Sequence, residues 1–65
     1  MDLSTLEGKR VELVSTDNQI FRGRIGDYIG PEEDEDGKDM IVLDDEIRKT
    51  PIGFYSEDIR TITII

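Results

Sequence analysis

The chain has 65 residues, 16 acidic and eight basic side chains, and neither cysteine nor histidine. This length supports one domain with one small core. Without thiols there is no disulfide framework or thiolate metal site, and without imidazole the commonest general base and zinc ligand are missing.

The net charge of −8 is concentrated rather than spread. Ten of the acids and only Lys38 among the bases fall between Asp27 and Glu46, which leaves the remainder of the chain close to neutral. A globally acidic chain disfavours non-specific nucleic-acid binding, but a near-neutral remainder leaves room for a local basic face. No apolar run approaches the roughly 20 residues of a membrane span. The opening MDLSTLEGKR lacks the apolar core of a signal peptide. The expectation is a soluble cytoplasmic protein with no membrane partner.

In chain order, Leu3 to Leu6 can form a helical turn, too short to stand without packing. Five strands follow. KRVELVS places Val11 and Leu13 on one face and Arg10 and Glu12 on the other. QIFRGRIGDYI places Phe21, Gly23 and Ile25 opposite Arg22 and Arg24. MIVL is a short apolar run, IGFY sets Ile52 beside Phe54, and DIRTITII is rich in isoleucine and threonine. Period-two alternation of β-branched and aromatic residues predicts strands throughout. The separators agree: STDNQ is rich in turn formers, DDEIRKTP reads as a polar link ending in proline, and YSED reads as a tight last turn. Five short strands in so short a chain protect their edges by closing into a small barrel. Gly23, in mid-strand, predicts a sharp bend or a close backbone approach there.

The stretch GPEEDEDGKD, residues 30–39, packs Glu32, Glu33, Asp34, Glu35, Asp36 and Asp39 around a single lysine. Glu32, Asp34, Asp36 and Gly37 have the alternate spacing of part of a calcium loop, yet the closing bidentate acid falls on Leu43, and strands rather than helices flank the run. No metal or other cofactor is therefore expected. Dense like charge without apolar residues predicts a solvated loop, with recognition of a basic protein surface as its functional reading.

LEGKRVELVSTDNQIFRGRIGDYI, MIVLDD and IGFYSEDIRTITI together resemble the Sm-like (LSm) proteins from Leu6 to Ile65. Leu6, Gly8 and Lys9 match the opening of the first motif. Phe21, Gly23 and Ile25 match its Phe-x-Gly-x-aliphatic core, and Ile41 to Leu43 match its apolar triplet. The second motif falls on Ile52–Tyr55 and Ile59–Ile64. The resemblance implies an all-β domain over 1–65: a five-stranded, strongly bent, SH3-like open barrel carrying a loop insertion at 30–39. It also implies rings in which strand 4 of one subunit pairs with strand 5 of the next, many of them binding uridine-rich RNA near the pore.

The RNA pocket of that family does not carry over residue by residue. Tyr28 fills the aromatic position, but Ile29 stands where an aspartate is usual, and GKDM runs into the third strand without an asparagine. Tyr55 and Ser56 occupy the position of the cation–glycine pair. Six nearby carboxylates also repel a phosphate backbone. An exposed TITII strand supports association independently, with Ile62, Ile64 and Ile65 as candidate edge residues. No catalytic residue is expected, since the serines lack an evident base. The favoured function is a non-catalytic Sm-like module that self-associates or recruits a protein. The alternative is RNA binding on a lateral face through Arg22 and Arg24, with Tyr28 and Tyr55 as stacking candidates.

Overall fold

The computed structural model describes residues 2–65, and all five strands are present: β1 (Arg10–Ser15), β2 (Ile20–Ile29), β3 (Met40–Asp45), β4 (Thr50–Tyr55) and β5 (Ile59–Ile64). Single 3-10 turns precede β1 (Leu3–Thr5) and β5 (Ser56–Asp58). The strands form one antiparallel sheet in the order β4-β3-β2-β1-β5. The expected all-β fold is therefore what the chain adopts.

Alternation does the folding work. Val11, Leu13, Phe21, Ile25, Ile41, Leu43, Phe54 and Ile59 all project from one face, and Leu3 and Leu6 of the N-terminal turn complete the buried cluster. Phe21 and Phe54 show how far the sheet curls. They sit on strands separated by β3, about 10 Å apart in a flat sheet. Their ring centroids nevertheless lie 4.8 Å apart, edge to face. The sheet folds over its own core and stays open between β4 and β5.

Two irregularities in β2 allow this curl. Gly23 faces the core where β3 crosses so closely that an added Cβ would lie 1.9 Å from the carbonyl oxygen of Asp44. Three residues on, the β2–β3 register slips between Ile25 and Asp27, leaving Gly26 unpaired in a bulge that bends the strand. The close approach expected at Gly23 is borne out.

Two expectations about the β3–β4 link are corrected. Asp44 and Asp45 belong to β3, and Thr50 and Pro51 belong to β4, so the link contracts to residues 46–49. Asp45 reads as polar but is 2% exposed, because its carboxylate terminates the turn from within. It accepts from the N–H groups of Ile47 (2.8 Å) and Arg48 (3.4 Å) and pairs with the Arg48 guanidinium at 2.6 Å. Arg48 in turn lies over the Phe21 ring, 4.2 Å from its centroid. Lys49 turns the chain with a φ of 58°.

Candidate functional site

The hydrogen-bond alternation of an antiparallel ladder tells which backbone groups are spent inside the chain and which face outward. On β4, the Ser56 N–H donates to the Asp39 carbonyl (3.3 Å) at the end of the β3 ladder. Counting back in twos, Phe54, Ile52 and Thr50 bond β3, while Pro51, Gly53 and Tyr55 turn their backbone groups to the free edge. On β5, the Ile65 N–H donates to the Arg10 carbonyl (2.9 Å), so Thr63 and Thr61 bond β1 and Ile62 and Ile64 face outward. Both edges of the sheet thus end in unpaired donors and acceptors, and Pro51 alone lacks the donor.

The predicted edge residues differ in exposure. Ile62 packs partly against the core, whereas Ile64 and Ile65 are 58% and 50% exposed. Ile64 is the residue whose side chain and backbone are both left without a partner.

The lateral arginine face is laddered with acids. Arg22 pairs with Glu12 at 3.0 Å, and Arg10 grips Glu46 through two bonds of 2.8 Å. That grip holds the Arg10 guanidinium above its ordinary pKa and the Glu46 carboxyl below its own, in each case chiefly through the shared hydrogen bond. Arg24 donates to the Gly8 carbonyl at 2.6 Å. Arg22 and Arg24 therefore lie together, and each guanidinium makes one hydrogen bond within the fold, to Glu12 and to the Gly8 carbonyl.

The two tyrosines do not join that face. Tyr28 packs against the core beside Ile41, which corrects its reading as an exposed stacking residue. Desolvation, followed by the charges of Asp39, Asp2 and Glu32, raises its phenol pKa. Tyr55 is half-buried at the end of β4, with the Lys38 ammonium 5.7 Å from its ring centroid.

The loop at 30–39 is tied to the β4–β5 turn rather than free along its length. Lys38 donates to Glu57 at 2.8 Å, and its own N–H donates to Asp34 at 3.1 Å. The bond to Glu57 raises the Lys38 pKa. Glu32, Glu33, Glu35 and Asp36 are exposed, and Asp34 and Asp39 are half-buried. Among the described residues no three acidic side chains converge as a metal would require. An open depression of about 380 Å³ beside the β3–β4 turn is lined by Asp44, Asp45, Glu46, Lys49, Thr50 and Pro51. No helix among the described residues is long and apolar enough to cross a membrane.

No family model, curated protein or solved structure matches this chain. The functional reading therefore stands on the two edges, the balanced arginine face and the charged loop. The sequence names residues on the β5 edge alone; the β4 edge enters only through the Sm-like resemblance, with no residue assigned to it. The signal was there: proline is tolerated in a sheet where its missing N–H points away from the ladder.

Proposed function

We propose that the chain is a non-catalytic, Sm-like assembly module that joins further copies of itself through its two open strand edges. The carrying observation is the sheet order β4-β3-β2-β1-β5, which leaves β4 and β5 unpaired at opposite ends of one sheet. Unpaired edges template addition of another strand, and one edge of each kind per chain gives head-to-tail association. The absence of histidine and cysteine from the sequence supports the non-catalytic part of the reading.

Light scattering of the purified chain across a wide concentration range tests it. A mass of several times 7.4 kDa, held on dilution, is expected; 7.4 kDa at every concentration would remove the assembly reading. In that event a protein partner at the acidic loop becomes the better reading, with binding that weakens as salt rises.

RNA binding through Arg22 and Arg24 is the competing function. The ion pairs on that face weigh against it, since a phosphate must first displace Glu12 from Arg22. Filter binding at low salt to a uridine-rich single strand is expected to show no retention. Clear retention that vanishes in the Arg22→Glu/Arg24→Glu variant would reverse this assignment, because phosphate contacts made by those arginines carry the affinity.

A further inference from the structure

Asp36 is the only aspartate of the chain followed by glycine, and the one asparagine, Asn18, is followed by Gln19. An aspartate side chain can close on the next backbone nitrogen to form a cyclic succinimide. Glycine permits that closure best, since it brings no side chain against the attacked carbon. Asp36 and Gly37 are both exposed, and Gly37 has a left-handed φ of 68°. Nothing lies within 4 Å of the position a Gly37 Cβ would occupy. The reacting pair therefore stands in open space on the acidic loop.

The restraint lies on the Gly37 nitrogen itself. Its N–H donates to the Asp34 carbonyl at 3.0 Å, and the N–H of Lys38 donates to the Asp34 carboxylate at 3.1 Å. While these bonds hold, the nitrogen points its proton at Asp34 and is not free to attack the Asp36 carboxyl. The turn is anchored by one long-range bond, from the Lys38 ammonium to Glu57 at 2.8 Å, and both of those side chains are largely open to water. Exposed ion pairs are worth little. The loop also carries six carboxylates, whose mutual repulsion favours opening. Such a segment opens locally far more often than the sheet unfolds.

We infer that Asp36–Gly37 is a site of spontaneous isoaspartate formation, and that Asp34 and the Lys38–Glu57 pair set its rate by holding the Gly37 nitrogen. When the turn opens, that nitrogen bonds the Cγ of Asp36, which reacts as the neutral carboxylic acid. One carboxyl oxygen leaves as water, carrying the amide proton and the carboxyl proton. Water then opens the ring. Attack at the former side-chain carbonyl restores aspartate, and attack at the main-chain carbonyl gives isoaspartate, in which the chain runs through Cβ and Cγ. Nothing is oxidised or reduced, and the water lost in closure is regained in opening. The product lengthens the main chain before Gly37, so its N–H no longer meets the Asp34 carbonyl. Lys38 is then released from Glu57, and the loop from the β4–β5 turn.

Prolonged warm incubation of the chain at neutral pH tests this. Isoaspartate is counted by enzymatic methyl transfer from S-adenosylmethionine and located by peptide mapping with electron-transfer fragmentation. The same chain incubated unfolded in guanidinium chloride gives the unrestrained rate. Isoaspartate is expected at residue 36 alone, forming more slowly in the folded chain than in the unfolded one. Asp36→Glu, which keeps the charge, is expected to give none. Asp34→Ala removes the carboxylate acceptor and is expected to speed formation about 3- to 10-fold in the folded chain. Glu57→Gln leaves residues 30–39 unaltered and is expected to speed it about 2- to 4-fold. Circular dichroism melts check that each variant remains folded.

Acceleration in Glu57→Gln that disappears when both proteins are unfolded establishes control by the fold, because an isolated Asp-Gly pair cannot sense residue 57. Equal rates in the folded and unfolded chain, or folded Asp34→Ala and Glu57→Gln rates that match the unmodified chain, would overturn the restraint. Isoaspartate located at another residue, or absent from every folded protein, would overturn the site.

Discussion

Gly23→Ala is expected to abolish the cooperative thermal transition of the domain. The alanine Cβ would stand 1.9 Å from the Asp44 carbonyl oxygen and 2.9 Å from its carbonyl carbon. Both are backbone atoms, so no side-chain rotation relieves the overlap. Nor can β2 withdraw, because Gly23 is paired with Val11 on one side and with Asp45 on the other. Separating β2 from β3 at this point would break the Glu46 N–H bond to the Arg22 carbonyl (2.8 Å) and pull Asp45 away from the turn it caps. A domain of this size has only about 5 kcal/mol of stability to lose, and backbone overlaps of this kind cost about 3 kcal/mol or more. Gly26→Ala is the matched comparison. Its nearest new neighbour is a carboxylate oxygen of Asp44 at 3.2 Å, on a side chain that can turn aside. A shift of less than about 1 kcal/mol is expected there. Circular dichroism melts of the two variants decide the matter, and a Gly23→Ala transition close to that of the unmodified chain would refute the packing argument.

The contrast between these two glycines shows what the sequence makes legible. A glycine amid alternating apolar residues marks Gly23 as special, and the structure supplies the reason, since β3 passes over it at backbone contact. The five strands are legible for the same reason, because each puts β-branched or aromatic residues on one face. Asn18, in a segment read as a turn, has the left-handed backbone its amide favours, with φ of 66°. Strand ends were less legible. Asp44 and Asp45 look like loop residues until Arg48, three positions on, is recognised as the partner that lets a carboxylate be buried. Tyr28 looked exposed because the bulge after Ile25 changes which residues face inward, and a bulge leaves little local trace. The order of the strands is a property of long-range pairing. That β1 lies between β2 and β5, leaving β4 and β5 as edges, follows from contacts between residues such as Val11 and Ile64, far apart in the chain. The candidate site inherits this limit: Ile62, Ile64 and Ile65 are legible as an apolar strand, whereas the outward-facing set Pro51, Gly53 and Tyr55 follows only from the β3–β4 register.

Asp45→Ala is expected to cost about 2 kcal/mol and to flatten the loss of stability in acid. The carboxylate side chain has no exposed surface, and three donors converge on it: the Ile47 N–H, the Arg48 N–H and the Arg48 guanidinium. Burial pushes the Asp45 carboxyl up, but the Arg48 hydrogen bond and the two backbone N–H groups outweigh it, and the group ends below its ordinary value. A carboxyl whose folded pKa is depressed contributes stability that is complete above its unfolded pKa, about 3.9, and is lost as pH falls through the folded value. The unmodified chain should therefore weaken below about pH 4, and the alanine variant should weaken less steeply over the same window. Some slope remains in either case, since Asp2, Asp17 and Glu46 are depressed as well. Arg48→Met separates charge from packing. Methionine can still cover the Phe21 ring, but it leaves Asp45 buried with backbone donors only, so burial gains weight and the carboxyl rises. For that variant the acid-induced loss should begin at higher pH than in the unmodified chain. Urea unfolding between pH 3 and 7 measures all three proteins on one scale. An Arg48→Met curve parallel to that of the unmodified chain would mean that the guanidinium serves the turn by covering Phe21 and not by holding the charge of Asp45.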